Sequence, residues 1–345
     1  MKKAVMIGPS PLARGGMATV VKTLLEHGYD GVFIATHVDG SALRKAGRAG
    51  AAFARFLAML ARGEVALLHV HVASGVSFWR KALFIGAARL CGRPVLFHLH
   101  GGEFRHFVET LPGLRRRVAL AAVQSAAAAF ALTEASAAWL RGYCAVARVE
   151  VFPNPLPDVP ALPRHPGQDV LYIGRLEEKK GVFDLLQSFA GVLAARPLAR
   201  LVLAGDGDGA AVMARAAQLG VAGSVHLAGW VDAPERAQLL ARAAVFVLPS
   251  WHEQMPMVVL EAMAAGTPVV ATQVGAVPDM LAHGECGIVV AEHDTIAVCA
   301  SILRIMDDNI LAELYSARGL ARVKSEYLVE SVLNRLRRCY KELAA

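Results

Sequence analysis

Between Ala243 and Met280 the chain reads AAVFVLPSWHEQMPMVVLEAMAAGTPVVATQVGAVPDM, two apolar runs separated by a stretch of helical period. Val245–Leu248 has the length and unbroken apolarity of a strand buried on both faces of a parallel sheet. Pro249, Ser250 and Trp251 interrupt it. A helix is predicted from Met257 to Ala265, with Pro256 at its first position and Gly266 and Pro268 as its stop. Pro268–Ala271 returns as a strand. The loop Ser250–Met255 therefore sits at the carboxyl end of a strand and the amino end of a helix. Open α/β sheets bind ligands there, and free backbone N–H groups attract phosphate.

Two carboxylates frame that helix start, Glu253 in the loop and Glu261 a little over one turn inside. Their spacing does not put them on one helical face at i, i+4, which excludes a tight acid/base dyad. They read as two acceptors gripping separate hydroxyl-bearing parts of one ligand, or as plain complements to a helix dipole. With PSWHE ahead and EAMAAGTPVV behind, Glu253-x7-Glu261 resembles the signature of family-4 retaining glycosyltransferases of the GT-B fold. The resemblance implies that Glu261 holds the ribose hydroxyls of a sugar nucleotide and that Glu253 lies against the transferred sugar. It also implies that amides around Met255, Pro256, Met257 and Val258 contact the diphosphate. Many members carry E-G-F-G where this chain has Glu253-Gln254-Met255-Pro256.

A length of 345 residues exceeds what one core usually covers, so two domains are expected. Six prolines within Pro153–Gln168 mark the boundary: residues 1–155, a linker over 156–168, and residues 169–325. The amphipathic end, 326–345, is assigned back to the first domain, as the resemblance implies for GT-B proteins. Five scattered cysteines without C-x-x-C argue for reduced thiols and against a zinc site. The start MKKAVMIGPSP is too short for a signal-peptide core, and the Ala-rich tract Val118–Leu132 is too short to span a bilayer. A cytoplasmic protein is expected, with no transmembrane segment and no nucleic-acid partner.

Charge divides unevenly, at a net +11 over residues 1–155 against −4 over the rest. The first half therefore faces something anionic. Ser41–Arg62 reads as a basic amphipathic helix: Arg44, Lys45, Arg48, Arg55 and Arg62 against Phe53, Phe56, Leu57 and Leu60. It is either an ordinary surface helix or a patch for peripheral contact with an anionic membrane. Arg115-Arg116-Arg117 is a candidate extension of it.

Further candidates follow in chain order. Gly15 and Gly16 open a helix after the first strand, where backbone can approach a ligand, and they match the family's G-G facing donor phosphate and acceptor. His69 and His71 alternate on one strand face, and a paired core or cleft role is expected rather than a metal site. Arg80-Lys81 is a candidate clamp for an acceptor phosphate. His100-Gly101-Gly102-Glu103 resembles the family's H-G-x-D, in which the histidine reaches the transferred sugar or acceptor; Glu103 replaces the usual Asp.

In the second half, Arg175 to Gly181 (RLEEKKG) precedes a helix from Val182 to about Leu193. Cations beside a helix N-terminus need an anion, which a diphosphate would supply. The segment resembles G-R-L-x-x-x-K-G, whose Arg and Lys bind donor diphosphate; Arg175 and Lys180 match. Asp206-Gly207-Asp208 is explained by turn chemistry rather than as a D-x-D metal motif, and it resembles the family's G-x-G-P turn, with Gly205 a donor-binding candidate. Trp230 and Val231 resemble the segment lining the nucleobase.

The expected fold is thus α/β of GT-B type, two Rossmann-like domains facing across an interdomain cleft. The expected reaction moves a sugar, with retention and without a metal or other cofactor, from a UDP- or GDP-linked donor. Its acceptor would be a lipid-linked or oligosaccharide hydroxyl of cell-surface glycan assembly. A GT-B nucleotide-sugar epimerase and a non-catalytic nucleotide-binding scaffold are the alternatives. A dehydrogenase is disfavoured because no Gly-rich fingerprint follows a strand.

Overall fold

The computed structural model describes residues 2–13, 16–158 and 162–345. The chain divides into two units, Met1–Pro157 with Leu328–Ala345, and Asp158–Tyr327.

The first unit alternates β1 (Lys3–Pro9), α1 (Gly16–Glu26), β2 (Val32–His37), α2 (Ala42–Ala61), β3 (Val65–Val72) and α3 (Val76–Leu90). It continues with β4 (Val95–Leu99), α4 (Phe104–Thr110), α5 (Gly113–Gln124), β5 (Ala128–Ala131), α6 (Glu134–Gly142) and β6 (Val149–Val151). The sheet is parallel, in the order β2-β1-β3-β4-β5-β6. Parallel strands are covered on both faces, hence their nearly continuous apolar runs. Two cores result. Val5, Ile7, Val70, Val72, Phe97 and Leu99 face α2 and α3, while Met6, Leu96, Phe130 and Phe152 lie with α1 and the C-terminal helix.

The second unit runs β7 (Asp169–Ile173), α7 (Val182–Ala195), β8 (Arg200–Ala204), α8 (Gly209–Gln218), β9 (Val225–Gly229), α9 (Ala233–Arg242) and β10 (Ala243–Leu248). Then come α10 (Met257–Ala264), β11 (Val269–Thr272), α11 (Val277–Met280), β12 (Ile288–Val290), α12 (Thr295–Asp307) and α13 (Asn309–Arg322). Its parallel sheet has the order β12-β11-β10-β7-β8-β9. Each unit is Rossmann-like, as expected for the two halves of a GT-B fold. Strand order reverses at β1/β3 in one and at β7/β10 in the other. Crevices outside the carboxyl ends of strands at such a reversal are where open α/β sheets take ligands.

Several local expectations are corrected. Pro256 is the N-cap of α10 (φ −72°, ψ 109°), not its first residue; its ring suits the helical φ, but its ψ is still extended. The Ala-rich tract Val118–Leu132 is divided between two elements, α5 ending at Gln124 and β5 beginning at Ala128. The C-terminal amphipathic stretch, 326–345, is not one continuous helix. A π-helical turn, Val323–Tyr327, ends the second unit, and α14 (Val329–Ala344) starts afresh. Within the first unit α14 buries Val332, Leu333 and Leu336 in the Met6–Phe130 core.

The proline-rich segment is not a free tether along its whole length. The Arg164 guanidinium donates to the Gly266 and Ala243 carbonyls, and the His165 and Gly167 amides donate to Ala241 and Arg242.

Candidate donor and acceptor sites

In the second unit the β7 and β10 ends carry the loops Gly174–Gly181 and Pro249–Pro256. Glycines hold them together. Gly181 has φ +70°, and a Cβ there would lie 1.9 Å from the Pro249 carbonyl oxygen. Gly275, at φ +56°, lies so close to the Glu253 and Gln254 carbonyls that a side chain has no room, and the Ala276 amide donates to Gln254. Gly205 (φ +144°) is pressed in the same way against the Gly174 carbonyl. The Trp251 amide donates to Lys179 across the two loops. From behind, the Trp251 indole N–H donates to Asp184 Oδ2 at 2.8 Å, and His293 Nδ1 lies 3.2 Å from the same oxygen.

This frame places Lys180 Nζ 2.7 Å from Glu253 Oε1. Both side chains are largely buried, at 23 % and 14 % exposure. Ser250, fully buried, donates to the same carboxylate oxygen at 3.0 Å. The expected conflict between Lys180 and the start of α7 is therefore met inside the protein by Glu253, before any diphosphate is invoked. Lys179 has its own partner, Glu177, at 3.6 Å. Arg175 is exposed at the end of β7, and its carbonyl accepts from the Tyr172 hydroxyl at 2.8 Å. Just beyond Glu253, α10 starts without any side-chain cap. Val259 donates its amide to the Pro256 carbonyl, and no side chain caps the Met257 and Val258 amides, which can meet an anion. Met255 and Pro256 are buried, and Met257 and Val258 half-buried, at that start.

Glu261 lies one turn further on, 2.8 Å from Arg236 of α9 but out of line for a hydrogen bond. Burial raises its carboxyl above the usual range, against the pull of Arg236. Its Oε2 is buried and makes no hydrogen bond, so the ion pair with Arg236 leaves it able to accept one from a hydroxyl. Gly205 follows β8, and Trp230 and Val231 follow β9; Trp230 is 68 % exposed and Val231 buried. Asp208 caps α8, accepting from the Ala211 amide at 2.9 Å.

In the first unit, Gly15 lies outside the described residues, while Gly16 is exposed at the first position of α1. The H-x-H residues are core histidines. His69, His71 and His98 are fully buried on the sheet face beneath α14, and His100 follows β4. Tyr340 Oη is 2.7 Å from His69 Nδ1, His69 Nε2 is 3.2 Å from His98 Nδ1, and His71 Nδ1 is 2.7 Å from His100 Nε2. Burial pushes His69 and His100 down to about 3, and His71 and His98 well below the ordinary range. All four are neutral at pH 7. His69, His71 and His98 each offer a nitrogen within 4.8 Å of the others, but both His69 nitrogens already have partners.

Glu103 is exposed as the N-cap residue of α4 and caps nothing with its side chain. Arg80 is half-buried. Lys81, the other residue of the candidate phosphate clamp, is 1 % exposed, its ammonium donating to Ser77 Oγ at 2.7 Å. The α-helical period turns it inward between Phe78 and Ile85, both buried on the sheet side of α3.

The partners Asp184, Arg236, His293 and Tyr340 were not assigned roles from sequence. Each meets its counterpart across more than 20 residues, and no local pattern announces such a pairing. Asp232-x-x-Glu235 does form a capping box, but it fixes only the start of α9.

Residues 167–308 match the family described as glycosyl transferases group 1. Phosphatidyl-myo-inositol mannosyltransferase of Mycobacterium leprae is 32 % identical over 193 residues, covering 55 % of this chain and 51 % of the relative. O-antigen chain mannosyltransferase B of Escherichia coli is 34 % identical over 157 residues, covering 45 % and 41 %. The matched stretch thus spans about half the length of these relatives. The Anabaena protein HepE, solved in complex with UDP, superposes with a TM-score of 0.76 at 17 % identity, covering 99 % of this chain and 100 % of that one. That likeness shows a shared fold over both units.

Proposed function

We propose, from the premise that residues 167–308 are a glycosyl transferases group 1 domain, that the chain transfers a sugar from a nucleotide-linked donor to an acceptor hydroxyl, with retention of configuration. The second unit binds the donor and the first unit the acceptor. One observation carries this reading: Lys180, Glu253 and the uncapped start of α10 converge at the β7/β10 reversal. A cation, the amides of a helix start and a carboxylate for the sugar are what a sugar diphosphate requires.

In the transfer the bond from the sugar's anomeric carbon to the diphosphate oxygen breaks, and the acceptor oxygen bonds to the same face of that carbon. The acceptor proton passes to the departing diphosphate. Charge grows on that leaving group, where Lys180, Arg175 and the α10 amides stabilise it. Donor binding displaces Lys180 from Glu253 toward phosphate and frees the carboxylate for sugar hydroxyls. Glu261 takes the ribose hydroxyls through a carboxylate that Arg236 holds as an ion pair and whose Oε2 makes no hydrogen bond. This set of residues needs no metal ion.

The names of the two mannosyltransferase relatives support an acceptor in lipid-linked or polysaccharide assembly. The first unit suits a lipid-borne acceptor. The leading half of α2 is almost wholly exposed, showing Leu43 at 86 % beside Arg44 and Lys45. Basic and apolar groups together favour peripheral contact with an anionic leaflet.

Lys180→Ala is expected to cut sugar transfer from a UDP- or GDP-sugar by about 10²–10³-fold, the usual cost of one lost donor to developing charge. Product mass spectrometry over a donor panel measures this. Near-normal transfer by the variant refutes the diphosphate assignment.

A further inference from the structure

At the β1/β3 reversal of the first unit, basic groups gather without a matching set of acids. Pro9 of β1 pairs with His37, the last residue of β2. The loop Ala73–Gly75 leads from β3 into α3, whose first turns carry Ser77, Arg80 and Lys81. His100, whose amide donates to Val72 at 2.9 Å, closes the other side. Gly101 packs so tightly on this loop that a Cβ would sit 3.2 Å from Ala73 Cα and 3.4 Å from the Ser74 amide nitrogen. Four polar atoms here are buried without a partner: His37 Nδ1, His71 Nε2, Ser74 Oγ and Arg80 Nε. His71 is itself wholly buried. Neither Arg80 nor Lys81 forms an ion pair among the described residues, and α3 starts at Gly75 with no side-chain cap. The acidic side chain facing the group is Asp39, 3.9 Å from His37 Nε2.

Buried polar atoms without partners call for a ligand or water, and a buried ammonium with only a hydroxyl for company calls for an anion. We infer that this crevice of the first unit is an anion subsite for a phosphate carried by the acceptor, held by Lys81, Arg80, Ser74 and the start of α3. It rests on reading the first unit as the acceptor-binding one, and it names the acceptor class: a phosphorylated one. The charge state agrees. Burial, then Arg80, lower Lys81 to about 7, so without an anion it is only partly charged at neutral pH. The groups around it, Arg80, His37, Lys45, His71 and His100, are basic, and none but the bound phosphate would restore its proton. Phosphate binding therefore draws in a proton.

Calorimetry tests this with inorganic phosphate on the whole chain, in buffers of different ionisation enthalpy at pH 7.5, with UDP titrated separately. Lys81→Met keeps the buried volume without the charge, and Arg80→Gln is a second, half-exposed change. Each is expected to weaken phosphate by about tenfold or more while UDP binding, a property of the second unit, stays as in the wild type. Lys81→Met also abolishes the proton uptake, which a purely structural lysine would not do. A second arm uses phosphatidylcholine vesicles with and without phosphatidic acid. Lys81-dependent capture by phosphatidate vesicles identifies a lipid-borne phosphate, and Lys81-dependent binding of free phosphate alone a soluble one; both uphold the subsite. Phosphate affinity unchanged in folded Lys81→Met and Arg80→Gln, or lost only in Lys180→Ala, overturns it and leaves the donor reading intact. Failure of UDP to bind while the Lys81-dependent phosphate site persists defeats the donor reading instead.

Discussion

Gly181 shows how much of the donor site hangs on one backbone conformation. It is both the left-handed N-cap of α7 and the residue against which the Pro249 carbonyl rests. Alanine there must adopt a positive φ and also displace the Pro249–Ser250 peptide, which moves Lys180 from Glu253. Gly181→Ala is expected to cost about 1–2 kcal/mol from the backbone alone, and more from the clash. The melting temperature should fall, and the donor KM should rise with it; a variant with wild-type melting and kinetics contradicts the packing described. Arg175 and Lys180 were legible as cations before a helix. That Glu253 is the partner of Lys180 was not, because 73 residues separate them.

Element by element, the histidine-bearing edge of β3 and β4 sets how the first unit responds to acid. In the folded chain burial holds His69 and His100 down to about 3, and lowers His71 and His98 well below the ordinary range. Unfolded histidines take a proton near 6.5. Between those values the unfolded state binds more protons, so stability falls as pH falls through 6.5 and keeps falling toward 3. Each such proton costs about 1.4 kcal/mol per pH unit. Thermal melts from pH 7.5 to 5 should show a steep loss for the transition of the first unit, and a flat profile contradicts the neutral buried set. α14 closes the same face. Leu336 is 1 % exposed in that core, so Leu336→Ala should cost about 2–5 kcal/mol in denaturant unfolding. A loss below about 0.5 kcal/mol would show that the helix is not integral to it. The amphipathic period of this helix was readable from the chain. Its break into a π-helical turn and a fresh start at Val329 was not, since the residues there favour helix throughout.

For the molecule as a whole, charge asymmetry is the property with the widest consequence. A net of +11 lies on residues 1–155, and the exposed start of α2 displays part of it. No helix of the described residues is long and apolar enough to cross a membrane. Flotation with vesicles containing phosphatidylglycerol should carry the protein at low salt and release it at high salt, because exposed charges are screened within a Debye length. Arg44→Glu with Lys45→Glu should abolish flotation, and absence of binding at both salt concentrations dismisses peripheral contact.

What the chain disclosed unaided is periodic or contiguous: apolar runs of strand length, helices between them, the glycine and proline punctuation, and short motifs such as Glu253-x7-Glu261. Backbone geometry and solvent exclusion act over a few residues, so their signatures stay local and a single sequence displays them. Tertiary structure alone decided which side chains answer one another: Lys180 with Glu253, Glu261 with Arg236, Tyr340 with His69, and the burial of Lys81 among other cations. Those pairings depend on strand order in the two sheets. Strand order is a global compromise among buried surfaces, and no stretch of neighbouring residues encodes it.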